Sequence, residues 1–407
     1  MGKIVSKPVV YYLLGAFVIY FMLIMWTNTN YRNEVYSLDL FRFRYELETT
    51  TPREVNSSLK YILIWTHPPN EPLKFLGEGQ EVFIRKNCSV TDCYVTTNKK
   101  FFNNVLDYDV LLFHDPQIHK VKKPDLPSNR STHQLFVFVS MESSDYYPLC
   151  NNNFDKYFNL TWTYKLNSDI YYGYIIIRNK TGEVIGPSQI MHWKKLEEMA
   201  VVDDEIKNKL QHKSIAAAWF VSNCNALSGR GDFVKKVQKE LDQYKLVIDI
   251  YGGCGKKKCS RGGMEDCLKK VERDYYFYFS FENSFSDDYV TEKLLHALNH
   301  YAVPVVYGTA NYTRFMPDGI YLNALELGAK GLAKQMAEII SDQERYYDFF
   351  KWHNHYTYHY PEESSETDPH CKICEKINDE TVIKGVNRHE HLNSWWNPKK
   401  IRSKVCK

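Results

Sequence analysis

Three short segments carry side chains whose type and spacing could support chemistry. The first runs Phe279-Ser280-Phe281-Glu282-Asn283-Ser284 and continues as Asp288-Tyr289-Val290-Thr291-Glu292-Lys293. Glu282 and Asn283 close an apolar run of strand length, and Lys293 falls in the first turns of a following helix. Free backbone N–H groups and the helix dipole favour an anion at such an end, and an ammonium group there strengthens the field. Glu292 is placed to accept from ribose hydroxyls. The second segment is Trp219-Phe220-Val221-Ser222-Asn223-Cys224, with Arg230 six residues on, where a guanidinium suits a diphosphate. The third, Phe138-Val139-Ser140-Met141-Glu142-Ser143, ends a strand on a lone carboxylate that suits a general base. Each has a plainer alternative: a capped helix with a solvated Glu-Lys pair, a surface arginine, and a solvated carboxylate.

The elements that must position these residues are legible as apolar runs. Lys60–Thr66, Val110–His114, Gln134–Ser140, Ala216–Ser222, Lys245–Gly252, Tyr275–Phe281 and Ala302–Gly308 all lack the alternation of a half-exposed sheet. Continuous apolar strands predict sheets buried on both faces, hence parallel strands covered by helices. Helical spacing recurs over Asp232–Tyr244, over Tyr289–Asn299 with Asp287 or Asp288 as N-cap, and over a long, broken stretch Ala329–Phe350. Strand–helix alternation in both halves predicts two doubly wound α/β domains meeting near residues 190–215. Ligands of such sheets bind beyond the carboxyl ends of the strands, so a cleft between the domains is the expected site.

Composition narrows the class. The chain has 407 residues, with 52 Lys+Arg against 49 Asp+Glu and a formal charge of +3, which excludes a broad electrostatic attraction to nucleic acid. Hydrophobic residues make up 44% and charged residues 25%, as in an ordinary folded protein. A mean hydropathy of −0.47 excludes a polytopic membrane protein but leaves room for one span. Residues 9–26 supply a candidate: an uncharged apolar run about 27 Å long as a helix. Lys3 and Lys7 precede it, which places residues 1–8 in the cytosol and the body across the membrane. The rival reading, a cleaved signal peptide, lacks a small-residue cleavage site after the run.

All ten cysteines follow the span, as expected in an oxidising lumen. Cys88, Cys93, Cys371 and Cys374 are candidate tethers, paired locally or across to one another, and Cys254, Cys259 and Cys267 are expected to include another bridge. A zinc site begun by His370-Cys371-Lys372-Ile373-Cys374 lacks a second ligand pair at zinc-finger spacing. His353, His355 and His359 alternate with aromatics and read as structural, and Lys256–Lys258 as a solvated loop. Asp107/Asp109 and Asp287/Asp288 are weak metal candidates, the first pair leading into a strand and the second capping a helix. Glycosylation sequons stand at Asn56, Asn87, Asn129, Asn159, Asn179 and Asn311.

Taken in order, the segments resemble the α1,3-fucosyltransferase family of Golgi glycosyltransferases. FENSFSDDYVTEKLLHALNHYAVPVVYG is similar to that family's donor signature and WFVSNCNALSGR to its upstream S-N-C…R element. SMESSDYYP…NLTWTYKLNSDIYYGY resembles its acceptor-side motif, and DIYGGCGKKKC also fits. The resemblance covers roughly residues 60–380. It implies the GT-B architecture, two Rossmann-like domains facing a cleft, here preceded by a single transmembrane helix. It also implies an inverting transfer of L-fucose from GDP-fucose to GlcNAc in α1,3 linkage on glycoprotein glycans, core or antennal. Carried over by position, Glu142 is the general base, Arg230 and Lys293 hold the diphosphate, Glu292 meets the ribose, and Asn283 and Tyr289 line the nucleotide site. No metal cofactor is required, and stimulation by Mn²⁺ is left open. Many relatives have proline after the Glu-Ser pair where this chain has Ser144-Asp145-Tyr146, a departure that bears on acceptor choice.

The expected organisation is a cytoplasmic tail (1–8), a transmembrane signal anchor (9–26) and a stem (27–58). An acceptor-binding domain (59–200), a GDP-fucose-binding domain (201–350) and a C-terminal segment carrying disulfide cysteines (351–407) follow. Such a protein is a single-pass type II Golgi membrane enzyme with a luminal body. The alternatives are a catalytically silent, membrane-anchored glycan-binding protein of the same fold and another inverting nucleotide-sugar transferase. Intact Glu142, Arg230, Glu292 and Lys293 argue against silence.

Overall fold

A computed structural model describes residues 58–66, 72–118, 126–127, 129–150, 154–385 and 388–397. The expected tail and span, nearly all of the stem, Asn56 and Cys406 lie outside the described residues.

The apolar runs form two all-parallel sheets. The first has the order β2-β1-β3-β4-β5-β6, built from β1 (Lys60–Ile64), β2 (Cys93–Thr96), β3 (Val110–His114), β4 (Leu135–Ser140), β5 (Leu160–Thr163) and β6 (Ile170–Tyr171). Its central strands β3 and β4 are buried at every position. Along β1 the side chains divide by parity: Ile62 and Ile64 pack into one cluster with Leu112 and Val137, and Tyr61 and Leu63 into another with Phe113 and Phe136. Both faces are therefore core, which is why the runs show no alternation.

The second sheet, also parallel, has the order β10-β9-β11-β12-β13. Its strands are β9 (Ile215–Phe220), β10 (Ile248–Tyr251), β11 (Tyr275–Phe281), β12 (Val303–Tyr307) and β13 (Leu322–Asn323). A third, antiparallel sheet, which the apolar runs did not reveal, joins β7 (Ile176–Asn179) and β8 (Val184–Gly186) to β14 (Tyr356–His359). It ties residues after the second sheet back to those after the first.

Helix boundaries depart from the expected ones for local reasons. The helix expected from Asp232 starts at Arg230, after Gly229 adopts a left-handed conformation (φ 66°). The helix expected from Tyr289 starts at Glu292 with Thr291 as N-cap. Neither Asp287 nor Asp288 caps it: Asp288 is buried, has φ 58° and pairs with Arg314 at 2.7 Å. The long stretch is a helix over Ala324–Ser341, non-helical at Gly328 (φ 64°), followed by Gln343–Asp348.

The C-terminal segment returns to the first sheet. Helix Pro369–Asn378 buries Ile373 and Ile377 against the face that carries Ile62 and Val137. Trp396 packs on the opposite face, 5.0 Å from the Phe138 ring, and its Nε1 donates to Tyr147 O at 2.9 Å. Each fully buried isoleucine or tryptophan contributes roughly 1.5–3 kcal/mol. Disulfides lock the return: Cys88 bonds Cys371 and Cys93 bonds Cys374, so the tethers run across the chain. Cys259 pairs with Cys267, as expected, whereas Cys254 pairs with Cys224. Cys371 and Cys374 are thereby removed as zinc ligands.

Candidate functional site

Glu142 lies just beyond β4, at the carboxyl edge of the first sheet, and is half-buried, whereas Ser143 and Ser144 after it are buried. It lines a cavity of 530 Å³ together with Met141, Tyr174, His114 and Phe75. The Tyr289 hydroxyl donates to Glu142 Oε2 at 3.0 Å. Tyr289 is buried, and burial raises its phenol pKa well above the ordinary value, with Tyr174 and Glu142 adding to the shift. The phenol therefore stays protonated and can serve the carboxylate as a donor. Tyr289, a residue of the first segment expected at the nucleotide, thus orients the carboxylate at the edge of the first sheet.

Around this contact the two loops are joined by hydroxyls. Ser143 Oγ and Ser284 Oγ are 2.5 Å apart, Ser144 Oγ and Ser286 Oγ 2.8 Å, and Tyr164 OH reaches Ser286 Oγ at 2.8 Å. Asp145 accepts from Phe285 N at 3.2 Å, and Tyr146 OH accepts from Asn223 Nδ2 at 3.2 Å. Ser144, Asp145 and Tyr146, which stand where the resemblance leads one to expect a proline, are therefore among the residues that dock one half on the other. Hydroxyls and a carboxylate can pair there, and a proline ring cannot donate.

Arg230 sits at the first position of its helix, buried, below the end of β11. Its Nη1 donates to Phe281 O at 2.5 Å and its Nη2 to Asn223 O at 3.4 Å, while Nε is buried with no partner among the described residues. Asn283 is half-buried; its carbonyl accepts from Ser228 N at 3.0 Å and its Oδ1 from Ser284 Oγ at 2.8 Å. Asn283 thus holds the loop over Arg230.

Glu292 and Lys293 open the helix after β11 and line a separate cavity of 100 Å³ with Ser222, Gly252, Tyr278 and His296. Gly252 is required there: its φ is 96°, and a Cβ would meet Val221 O at 2.6 Å. Lys293 Nζ lies 3.2 Å from both Glu282 Oε2 and Glu292 Oε1 and donates to Thr291 Oγ1 at 2.6 Å. Burial works against its charge, but the two carboxylates outweigh burial and raise its pKa. Glu282, 2% exposed, is raised by burial against the pull of Lys293, and accepts from Thr291 N at 2.9 Å. The sequence marks Glu282 only as a strand end; no local pattern announces that it balances Lys293. His296 is buried neutral, with its pKa lowered to about 4 by burial.

The remaining candidates are scattered. Asn87, Asn129 and Asn311 are exposed. Asn159 Oδ1 accepts from Phe136 N at 3.0 Å and from Arg130 Nη1 at 3.2 Å, so its side chain belongs to a sheet edge. Asn179 holds a tight turn through Thr181 and Glu183. His353 stacks on Trp352 at 3.7 Å and Tyr301 at 4.6 Å. Lys256–Lys258 are exposed, with Lys257 paired to Asp249 at 2.6 Å. Asp109 accepts from Tyr61 N at 2.8 Å, and Asp107 lies in a short helical turn before β3.

Known families fit this layout. A fucosyltransferase N-terminal domain model matches residues 57–175, and a model of the glycosyltransferase family 10 (fucosyltransferase) C-terminal domain matches residues 210–395. Alpha-(1,3)-fucosyltransferase C of Drosophila melanogaster is 32% identical over 362 residues, covering 86% of this chain and 80% of its own length. The 4-galactosyl-N-acetylglucosaminide 3-alpha-L-fucosyltransferase FUT6 of Homo sapiens is 30% identical over 344 residues, 83% of each chain. A crystal structure of an alpha1,3-fucosyltransferase with GDP-fucose aligns at a TM-score of 0.44 and 14% identity, over 75% of this chain and 86% of that one. Two successive domain models, and relatives matched along most of their length, assign the chain to glycosyltransferase family 10: it is a member of the α1,3-fucosyltransferase family and a fucosyltransferase.

Proposed function

We propose that this fucosyltransferase moves L-fucose from GDP-fucose to the 3-hydroxyl of a GlcNAc on a glycoprotein glycan, with inversion at the fucose anomeric carbon. The observation that carries the reading is the 3.0 Å contact between Tyr289, from the segment next to the donor-like helix, and Glu142, at the edge of the other sheet. It brings a lone carboxylate to the junction of the two halves, beside a cavity large enough for a sugar acceptor.

In this reading Glu142 takes the proton of the acceptor hydroxyl as its oxygen attacks the anomeric carbon. The bond from that carbon to the diphosphate oxygen breaks, and its electron pair leaves with GDP. Arg230 and Lys293 supply the positive charge that this reading needs where the diphosphate departs, and fixed cations at such a point are typically worth several kcal/mol. Glu282 and Glu292 hold Lys293 in place and keep the donor end of the site near neutral until the diphosphate arrives. Glu292 is half-buried beside the smaller cavity, a placement that supports a ribose contact. No step requires a metal ion.

The reading extends to the compartment. Four disulfides among the described residues support an oxidising lumen, and the apolar run 9–26 supports a type II Golgi anchor. Asn87, Asn129 and Asn311 are the sequons whose exposure suits a glycan.

The full-length chain incubated with GDP-fucose and a panel of N-glycan and N-acetyllactosamine acceptors, with and without EDTA, tests the proposal by product mass and linkage analysis. One fucose added in α1,3 linkage, unaffected by EDTA, is expected. Glu142→Gln is expected to cut transfer by about 10²–10⁴-fold while GDP-fucose still binds. Transfer at the wild-type rate in that variant removes Glu142 from the mechanism. Donor binding without transfer to any acceptor points to the silent glycan-binding protein instead.

A further inference from the structure

The cavity that holds Glu142 has a second polar wall that the proposed transfer does not use. Tyr172, directly after β6, and His370, in the first turn of helix Pro369–Asn378, both line it. They are only 1% and 3% exposed. Tyr172 OH lies 3.1 Å from His370 Nε2, and His370 Nδ1 lies 3.0 Å from Asp368 Oδ1. Asp368 Oδ1 also accepts from His370 N at 2.8 Å as the helix N-cap, and its other oxygen pairs with Lys86. A continuous chain, Lys86–Asp368–His370–Tyr172, therefore runs from the helix cap to the cavity wall.

The chain has a direction. An ionised carboxylate only accepts hydrogen bonds, so Nδ1 of His370 carries the hydrogen that Asp368 receives. In the neutral ring Nε2 is then an acceptor, and the Tyr172 hydroxyl must donate to it. The tyrosine proton is thus committed to His370, which leaves the Tyr172 oxygen with only acceptor capacity to offer a ligand in the cavity. The ring itself is held by stacking on Trp162, with centroids 4.7 Å apart and planes 18° from parallel. The disulfides Cys88–Cys371 and Cys93–Cys374 fix the helix that brings His370. A buried ionic chain of this kind is a weak device for stability, since apolar residues of similar volume often serve as well. An oriented acceptor at a cavity wall is something apolar residues cannot provide.

We propose that Asp368, His370 and Tyr172 form a positioning relay for the acceptor, in which the Tyr172 oxygen accepts a hydrogen bond from a sugar hydroxyl other than the one being fucosylated. The inference rests on the fucosyl-transfer reading and deepens it by naming a specificity residue. The acceptor class it selects is a glycan that presents a free hydroxyl donor to this wall while its 3-hydroxyl faces Glu142.

The test is a cycle on the full-length chain at saturating GDP-fucose, using N-acetyllactosamine and its monodeoxy analogues with wild type and Tyr172→Phe. Wild type is expected to lose about tenfold in kcat/KM, mainly through KM, on one analogue. Tyr172→Phe should lose the same on the parent acceptor and nothing further on that analogue, with KM for GDP-fucose within about twofold of wild type. A purely structural role would instead lower thermal stability and slow every acceptor alike, leaving discrimination intact, and that result overturns the proposal. If Tyr172→Phe does not accumulate folded, His370→Gln is read in the same way. Its amide can turn either nitrogen or oxygen to Tyr172, so the hydroxyl loses its fixed direction and discrimination should fall at least threefold; unaltered discrimination refutes the relay. No fucosyl transfer by wild type to any acceptor would refute the fucosyl-transfer reading, and the relay with it.

Discussion

Replacing Tyr289 by phenylalanine isolates the contact on which the catalytic reading depends. The hydroxyl donates to Glu142 Oε2 at 3.0 Å, and burial keeps the phenol protonated, so the bond is always that of a neutral donor to the carboxylate. Hydrogen bonds to charged groups contribute roughly 1.5–3 kcal/mol. If that energy serves to hold Glu142 against the acceptor hydroxyl, its loss should lower kcat by about 10- to 100-fold. The ring contacts, 5.0 Å to Tyr164 and 6.3 Å to Tyr174, survive in Tyr289→Phe, so the fold should lose little stability. Initial rates at saturating donor, with GDP affinity measured by calorimetry, separate the two possible roles. A kcat within twofold of wild type together with weakened GDP binding would refute the reasoning and return Tyr289 to the nucleotide.

Three further outcomes are expected. Lys293→Met leaves Glu282 buried without its cation, which should cost roughly 3–5 kcal/mol in denaturant unfolding as well as donor affinity. Adding Glu282→Gln should restore most of the stability but not the GDP binding, and recovery of both would remove Lys293 from the donor site. Removing Cys88–Cys371 alone should change stability little, because Cys93–Cys374 closes nearly the same loop; removing both frees loops of 283 and 281 residues and should cost about 5 kcal/mol. Lys213 Nζ is buried against Val271 O, Glu272 O and Tyr275 O, and burial lowers its pKa from 10.5 to about 7. Between these values the unfolded chain binds the proton that the folded one lacks, so stability should rise with pH, by at most about 1.4 kcal/mol per unit. Lys213→Met should abolish that part of the slope, and an unchanged pH profile of unfolding would contradict the assignment.

The parallel sheets were readable because strands buried on both faces leave uninterrupted apolar runs, as in Val110–His114 and Tyr275–Phe281, whose bounds the structure reproduces. Short or mixed strands such as Ile170–Tyr171 and the antiparallel trio carry no such run and were not seen. Two helix starts differ from the expected ones by two and three residues because caps depend on backbone conformation. Gly229 turns left-handed to start one helix, and Asp288 turns inward to Arg314 instead of capping another.

The same division runs through the site. Residue types and local order by themselves determined that Glu142, Arg230, Glu292 and Lys293 stand at strand ends or helix starts, since those placements follow from hydrophobic period and chain direction. Only the tertiary structure decided their partners. Glu142 meets Tyr289 across 147 positions, Cys88 meets Cys371 across 283, and Tyr172 meets His370 across 198. Contacts at such separations arise from packing two sheets and returning the C-terminal helix to the first. That packing is a property of the whole buried surface, and no local pattern records it.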